Sequence, residues 1–255
     1  MIKDLLIIFA LFIIGLVLGS IILLLGINLP KKLKLCNKCD NCDNKWHFFE
    51  LIPIVPYFIN RFRCRYCGNN ISRWNVVIEI LSGILLPFSY IIYGFSYEMI
   101  AMILISILML LIFVTDFKYY IILDSSIIVI SFSFLSLKFI FFGWKTFLLS
   151  LASGALMIIF LTIIKFIGDK LFKTESLGWG DVKLSFVFGS ALGIRLSIIS
   201  IVLGSFLAFP YAVYSSFNKI EREIPFGPFL VSGFLVVFIF MEQIKYFISI
   251  LLGIY

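Results

Sequence analysis

An uncharged and almost wholly apolar run over residues 5–27 constrains this chain more than any other feature. At 1.5 Å per residue, a helix over it crosses the roughly 30 Å hydrocarbon layer of a bilayer. A cleavable signal peptide is the competing reading, but the run is too long for one and no small-residue cleavage pattern follows it. Further apolar runs cover 80–97, 99–115, 125–137 with a continuation to 144, 146–164, 184–194, 196–218 and 224–241. With the first, they predict eight transmembrane helices. The run 184–194 is short and must borrow 181–183 to reach across.

Composition agrees. Hydrophobic residues make up 62% of the 255 and charged residues 14%, against roughly half and a quarter in soluble domains. Disorder and a secreted disulfide scaffold are excluded. The 30 phenylalanines are spread over the apolar runs, so the expected fold is an all-α, polytopic membrane helical bundle whose main partner is the lipid bilayer. A net charge of +7 would raise nucleic acid as a partner in a soluble protein. Here the basic residues serve topology and no nucleic acid is expected. With the N-terminus outside, segments 28–73, 116–124, 165–183 and 218–223 lie inside and hold sixteen of the 21 Lys and Arg. Only Lys3, Lys138, Lys145, Arg195 and Lys245 remain for the other face, and the positive-inside rule favours this orientation, with both termini outside.

Residues 28–73 break the apolar pattern and contain all five cysteines and the single histidine, His47. Cys39-x-x-Cys42 and Cys64-x-x-Cys67, 21 residues apart, have the spacing of a four-thiolate Zn2+ site. Two disulfides are disfavoured in a cytoplasmic loop. Cys36 also forms Cys36-x-x-Cys39, which leaves the register of the first knuckle and a redox dithiol open. In so small a module, metal would supply folding energy that a core cannot.

Among the few acidic residues, Asp4, Glu98, Glu221, Glu223 and Glu242 sit at predicted helix ends or in loops, and Glu79 lies just inside the second apolar helix. Asp116 and Asp181 differ, because the topology puts both at inner helix ends and so at one depth. Asp116 closes a long uncharged run, and Asp181 closes Gly178-Trp179-Gly180-Asp181, where glycines permit close backbone approach. Read alone, Asp181 fits a helix N-cap and Asp116 a boundary carboxylate paired with Lys118. Read together, they fit an aspartic protease, in which two close carboxylates share one proton. A Ser-His hydrolase needs a histidine at depth, and a Ser-Lys dyad would have to use Lys165 or Lys183. A H-E-x-x-H zinc protease needs more than one histidine.

The arrangement resembles the bacterial type IV prepilin leader peptidases over about residues 19–230. Gly19-Ser20 with Pro30 matches the end of the family's first helix. Cys39, Cys42, Cys64 and Cys67 match its cysteine motif, continued by Cys64-Arg65-Tyr66-Cys67-Gly68, Ile71-Ser72 and Glu79. Asp116 and Asp124 keep its eight-residue interval, 178–183 fits G-x-G-D-x-K, and 225–230 fits P-F-G-P-F-L. The chain departs from the pattern at Leu23, Asn28 and Leu123, in place of Asn, Arg and Pro. It departs again at Trp74-Asn75-Val76, in place of Arg-Tyr-Pro.

The resemblance implies a multi-pass inner-membrane aspartic endopeptidase with Asp116 and Asp181 as the catalytic pair and Asp124 in support. Its substrate would be a type IV prepilin or pseudopilin precursor cut at the cytoplasmic face. The family's second activity, N-methylation of the new amino terminus, would use S-adenosylmethionine, for which no glycine-rich fingerprint appears and no residues are assigned. Three parts follow: a first transmembrane helix (1–27), a cytoplasmic cysteine-rich zinc module (28–75) and a protease bundle (76–255). A presenilin-like or signal-peptide-cleaving aspartyl protease shares G-x-G-D but lacks the cysteine module. A membrane transporter or assembly scaffold with a zinc-bound docking loop would use the aspartates as an ion site.

Overall fold

The computed structural model describes residues 2–30, 52–217 and 225–251. Among these the regular structure is helical, apart from one antiparallel bridge between Arg63 and Asn70. The elements are α1 (Ile2–Asn28), α2 (Val55–Ile59), α3 (Trp74–Tyr93), α4 (Tyr97–Tyr119) and α5 (Asp124–Phe172). They continue with α6 (Trp179–Leu192), α7 (Ile194–Phe217), α8 (Gly227–Ile239) and α9 (Met241–Leu251).

The chain forms two compact units, Met1–Leu123 and Asp124–Tyr255. In the first, α1 lies against α3 along a seam of small residues. A Cβ on Gly15 would come within 2.5 Å of the Ser82 carbonyl oxygen, and one on Gly19 within 2.8 Å of the Glu79 Cα. Close backbone approach of this kind replaces the hydrophobic effect as the force holding helices together in lipid. α4 supplies the centre of the unit, with Ala101, Met102, Ile105, Leu108 and Ile112 fully buried. In the second unit, a Cβ on Gly189 of α6 would stand 2.5 Å from the Ser153 carbonyl oxygen of α5. Phe188 of α6 stacks on Phe234 of α8 at 4.4 Å between ring centroids. Ile128, Phe132, Ile140 and Phe166 of α5 are exposed, as expected of side chains that meet lipid.

Among the described residues, five helices, α1, α3, α4, α5 and α7, are long and apolar enough to cross a membrane. The α8–α9 pair, bent by 75°, brings the number to six if counted as one span. The eight expected from hydropathy are therefore not reproduced, for two reasons. The runs 125–144 and 146–164 are two helices that follow one another within the 49-residue α5 across Gly143, where the backbone leaves helical geometry (φ 79°, ψ −176°), so they count once among the five. α6 has 14 residues, about 21 Å of helix, short of the roughly 30 Å layer.

Candidate active site

Asp116 belongs to the first unit. α4 starts at Ser96, whose hydroxyl accepts the Met99 N–H at 3.3 Å, and runs as an apolar rod to Thr115 and Asp116, both buried. It ends at Tyr120, a left-handed residue (φ 54°) whose N–H donates to the Asp116 carbonyl oxygen at 2.9 Å. The Tyr119 hydroxyl donates to the Ile27 carbonyl oxygen of α1 at 3.2 Å, fastening the two helix ends together. Asp116 thus sits in the last turn of a buried helix, where a carboxylate is costly and marks function by default.

Around that turn the unit contains a cavity of about 420 Å³. Leu23 and Ile27 of α1 and Ile78 of α3 form its buried floor. Phe113, Val114, Phe117 and Lys118 come from the turn of α4 that carries Asp116, and Trp74 and Asn75 from the first turn of α3. Leu23, Trp74 and Asn75 are positions at which the chain departs from the prepilin-peptidase pattern.

Asp181 belongs to the second unit. Its approach is fixed by Lys165, a buried lysine of α5. The Lys165 ammonium donates to the Leu177 carbonyl oxygen at 2.5 Å and to Glu175 Oε1 at 3.3 Å, and it lies 3.2 Å from Asp169 Oδ2. The Ser176 N–H and hydroxyl both donate to Asp169 Oδ1. This network holds 173–178 against α5, so that α6 begins with Gly178 at the N-cap. Asp181 is therefore inside the first turn of α6 and is not its cap. It is buried, and a Cβ on Gly178 would lie 3.2 Å from Asp181 Oδ2, so the glycine is what lets the backbone pass the carboxylate. Two residues on, Lys183 donates to both oxygens of Asp124, at 2.7 and 2.8 Å. The two lysines that a Ser-Lys dyad would require are thus both bound to carboxylates.

The cysteine module is described in half. Cys36, Cys39, Cys42 and His47 lie outside the described residues. Cys64 and Cys67 occupy a tight turn in which the Cys64 N–H donates to the Asn69 carbonyl oxygen and the Gly68 N–H to the Cys64 carbonyl oxygen, with Gly68 at φ 71°. Cys64 is buried and Cys67 exposed. Among the described residues there is no cluster of three or more metal-ligating side chains, and only two of the four expected ligands are among them.

Glu79 is a residue whose role the sequence hid. Fully buried, its Oε1 accepts the Ser20 hydroxyl at 2.7 Å and the Tyr57 hydroxyl at 3.3 Å, and its Oε2 accepts the Ile54 N–H at 2.6 Å. Ile54 pays for that bond with a left-handed backbone (φ 64°). One carboxylate thereby joins α1, α3 and the segment leading to the Cys64 turn. The sequence signals were an acid beside an apolar run and its place in the continuation of the family's cysteine motif.

The 225–230 segment starts α8 at Gly227, with the Phe226 carbonyl oxygen accepting from the N–H groups of Phe229 and Leu230 at 3.1 Å. Pro228 falls in the first turn, where its missing donor costs nothing.

The chain is similar to known proteins along most of its length. A model of the bacterial peptidase A24 N-terminal domain matches residues 13–93. A model of the type IV leader peptidase family matches residues 102–213, a range that contains Asp116, Asp124, Asp181 and Lys183. Among curated proteins, a prepilin leader peptidase/N-methyltransferase of Burkholderia pseudomallei (strain 1026b) is 27% identical, over 81% of this chain and 68% of its own. Its namesake in Bacillus subtilis (strain 168) is 25% identical over 95% of this chain and 98% of its own. The one in Vibrio cholerae (El Tor Inaba N16961) is 26% identical over 89% and 94%. No solved structure matches. With both models in the family's order and the G-x-G-D aspartate inside the second, the chain belongs to the type IV leader peptidase family.

Proposed function

We propose that this protein is a membrane-embedded aspartic endopeptidase that removes the leader from type IV prepilin or pseudopilin precursors at the cytoplasmic membrane face and N-methylates the new amino terminus. One observation carries the reading: the two acids singled out in the sequence, Asp116 and Asp181, are both buried at helix ends within the matched family segment. The charge count over the loops puts both ends inside.

Asp116 and Asp181 act as a pair on one water. The ionised member removes a proton from that water as general base while the protonated member polarises the scissile carbonyl. The roles exchange as the tetrahedral intermediate collapses and the amine leaves with a proton. The helix ends differ in sign. α6 offers its positive end to Asp181 and α4 its negative end to Asp116. The Lys183–Asp124 ion pair and the Lys165 network are positioning elements for the start of α6.

Cys39, Cys42, Cys64 and Cys67 would hold a structural Zn2+, which would supply folding energy to the polar module. S-adenosylmethionine, when bound, would supply an electrophilic methyl group to the amine freed by cleavage.

Mass spectrometry of a prepilin co-expressed with the chain tests the reading. The unaltered chain should yield a precursor shortened by its leader and heavier by one methyl group. Asp181→Asn should leave it full-length, and a processed precursor in that strain contradicts the protease assignment.

A further inference from the structure

The segment that precedes α3 reads as water-facing, yet α2 turns an apolar face outward. Ile52, Val55, Phe58 and Ile59 are exposed, Phe58 at 62% and Ile59 at 74%, whereas Tyr57 of the same turn is buried. A cluster of large apolar side chains outside the spans marks an interaction surface. We propose that α2 and the arginine-bearing hairpin after it are a membrane-surface anchor, seated in the headgroup layer and bound to the phosphates of anionic phospholipids. The charge count over the loops names the leaflet as the cytoplasmic one, and the proposal stands apart from the protease reading.

Glu79 fixes the depth of α2. It stands five residues after the start of α3, about 8 Å along the helix, and immediately before the uncharged run 80–97, where headgroups give way to acyl chains. Its carboxylate accepts the Ile54 N–H at 2.6 Å and the Tyr57 hydroxyl at 3.3 Å, so α2 is held beside that level and not out in the water above it. Trp74, exposed in the first turn of α3, has the amphipathic ring that membrane interfaces favour. Helices that lie in an interface bury their apolar face about 5–10 Å into the boundary between headgroups and chains, which is the level Glu79 gives to Val55, Phe58 and Ile59.

Charge selects the occupant. Residues 52–73 contain four arginines, Arg61, Arg63, Arg65 and Arg73, and no acid. All four are exposed, and among the described residues none forms an ion pair. Backbone bonds from the Cys64 N–H to the Asn69 carbonyl oxygen and from the Ile71 N–H to the Phe62 carbonyl oxygen close the hairpin. The Phe62 ring meets Phe58 edge-on at 5.6 Å, so the arginines and the apolar face belong to one body. Guanidinium groups pair with phosphate through two parallel hydrogen bonds, and each basic residue at an anionic membrane surface is worth about fivefold in binding. An apolar protein partner would leave the cations unanswered, whereas an anionic lipid layer meets both the apolar face and the charge.

Photo-cross-linking of the full chain in phospholipid nanodiscs tests the proposal. A benzoylphenylalanine in place of Phe58 or of Ile59, both exposed, should form lipid adducts, as it should in place of Phe132 on the exposed face of α5. Adducts at Phe132 with none at Phe58 or Ile59 overturn the proposal. So does an adduct from Phe58 to added prepilin in place of lipid, which would make the face a protein site. Hydrogen exchange tests the charge: the amides of 55–65 in the unaltered chain should exchange at least about fivefold more slowly in discs containing phosphatidylglycerol than in discs of phosphatidylcholine alone. Arg61→Gln, Arg63→Gln and Arg65→Gln together should abolish that difference, and the corresponding three changes to Lys should keep it. Equal exchange of the unaltered chain in the two discs, or a difference that survives the three changes to Gln, overturns the assignment.

Discussion

Lys183 of α6 chelates Asp124, the first residue of α5, donating to both carboxylate oxygens at 2.7 and 2.8 Å. The pair links the lysine of the G-x-G-D-x-K segment to the second aspartate of the eight-residue interval. The family resemblance had given that aspartate only a supporting role. Both side chains are about half exposed, at 49% and 60%, so the bond is worth at most about 1 kcal/mol. Its value is in orientation: two residues earlier on the same helix stands Asp181.

Breaking this pair should therefore harm catalysis more than stability. Lys183→Gln and Asp124→Asn are expected to move the melting temperature by a degree or two at most while slowing leader removal several-fold. The double variant should be little worse than either, because one interaction is lost in each. Initial rates beside thermal melts of the four proteins check this.

Glu79 should behave in the opposite way. Glu79→Ala leaves the Ser20 hydroxyl, the Tyr57 hydroxyl and the Ile54 N–H without their acceptor, at about 1–3 kcal/mol for each group that stays buried and unsatisfied. A large fall in melting temperature is expected, with new proteolytic cuts in 52–73. Glu79→Gln, which keeps the shape and one carbonyl acceptor, should fall between. Melting curves and limited proteolysis report both effects.

The α1–α3 seam gives a packing test. A β-branched side chain at Gly19 meets the Glu79 Cα and the Ser82 Cβ within 3 Å, and such overpacking costs about 1–3 kcal/mol. Gly19→Val should lower the melting temperature clearly. The same change at Gly94, with nothing within 4 Å, strains only its backbone (φ 59°).

Zinc content is a direct prediction of the cysteine spacing. Elemental analysis of the purified chain should find one zinc per molecule, and Cys39→Ser or Cys64→Ser should remove it and lower the melting temperature. Zinc-free chain with an unchanged melt would show that the module folds without metal.

Much of the first unit was legible in the sequence, because α1 and α4 are long runs in which nothing competes with the helix, and hydropathy marks their ends within a few residues. The second unit was less so. Lys145 divided the runs on either side of it, and the backbone leaves helical geometry two residues earlier, at Gly143, so hydropathy put the break between these two helices within two residues of its place. The entry to α6 reads as a hinge with an acid cap. Lys165, packed from an earlier helix onto Leu177, starts that helix sooner and carries Asp181 inside it. Asp116 and Asp181 were visible because charge is scarce in lipid. The Glu79 bonds and the cavity at Asn75 were hidden because their partners come from elements distant in sequence, and no local pattern encodes such a meeting.

The central claim is that Asp116 and Asp181 work as one catalytic unit. Leader-removal rates for Asp116→Asn, Asp181→Asn and the double variant, measured on purified protein with a prepilin substrate, test it most directly. The account predicts a loss of at least ~10³-fold in each single variant and no further loss in the double, as for residues that act together. Appreciable cleavage by either single variant, or losses that multiply, would contradict it.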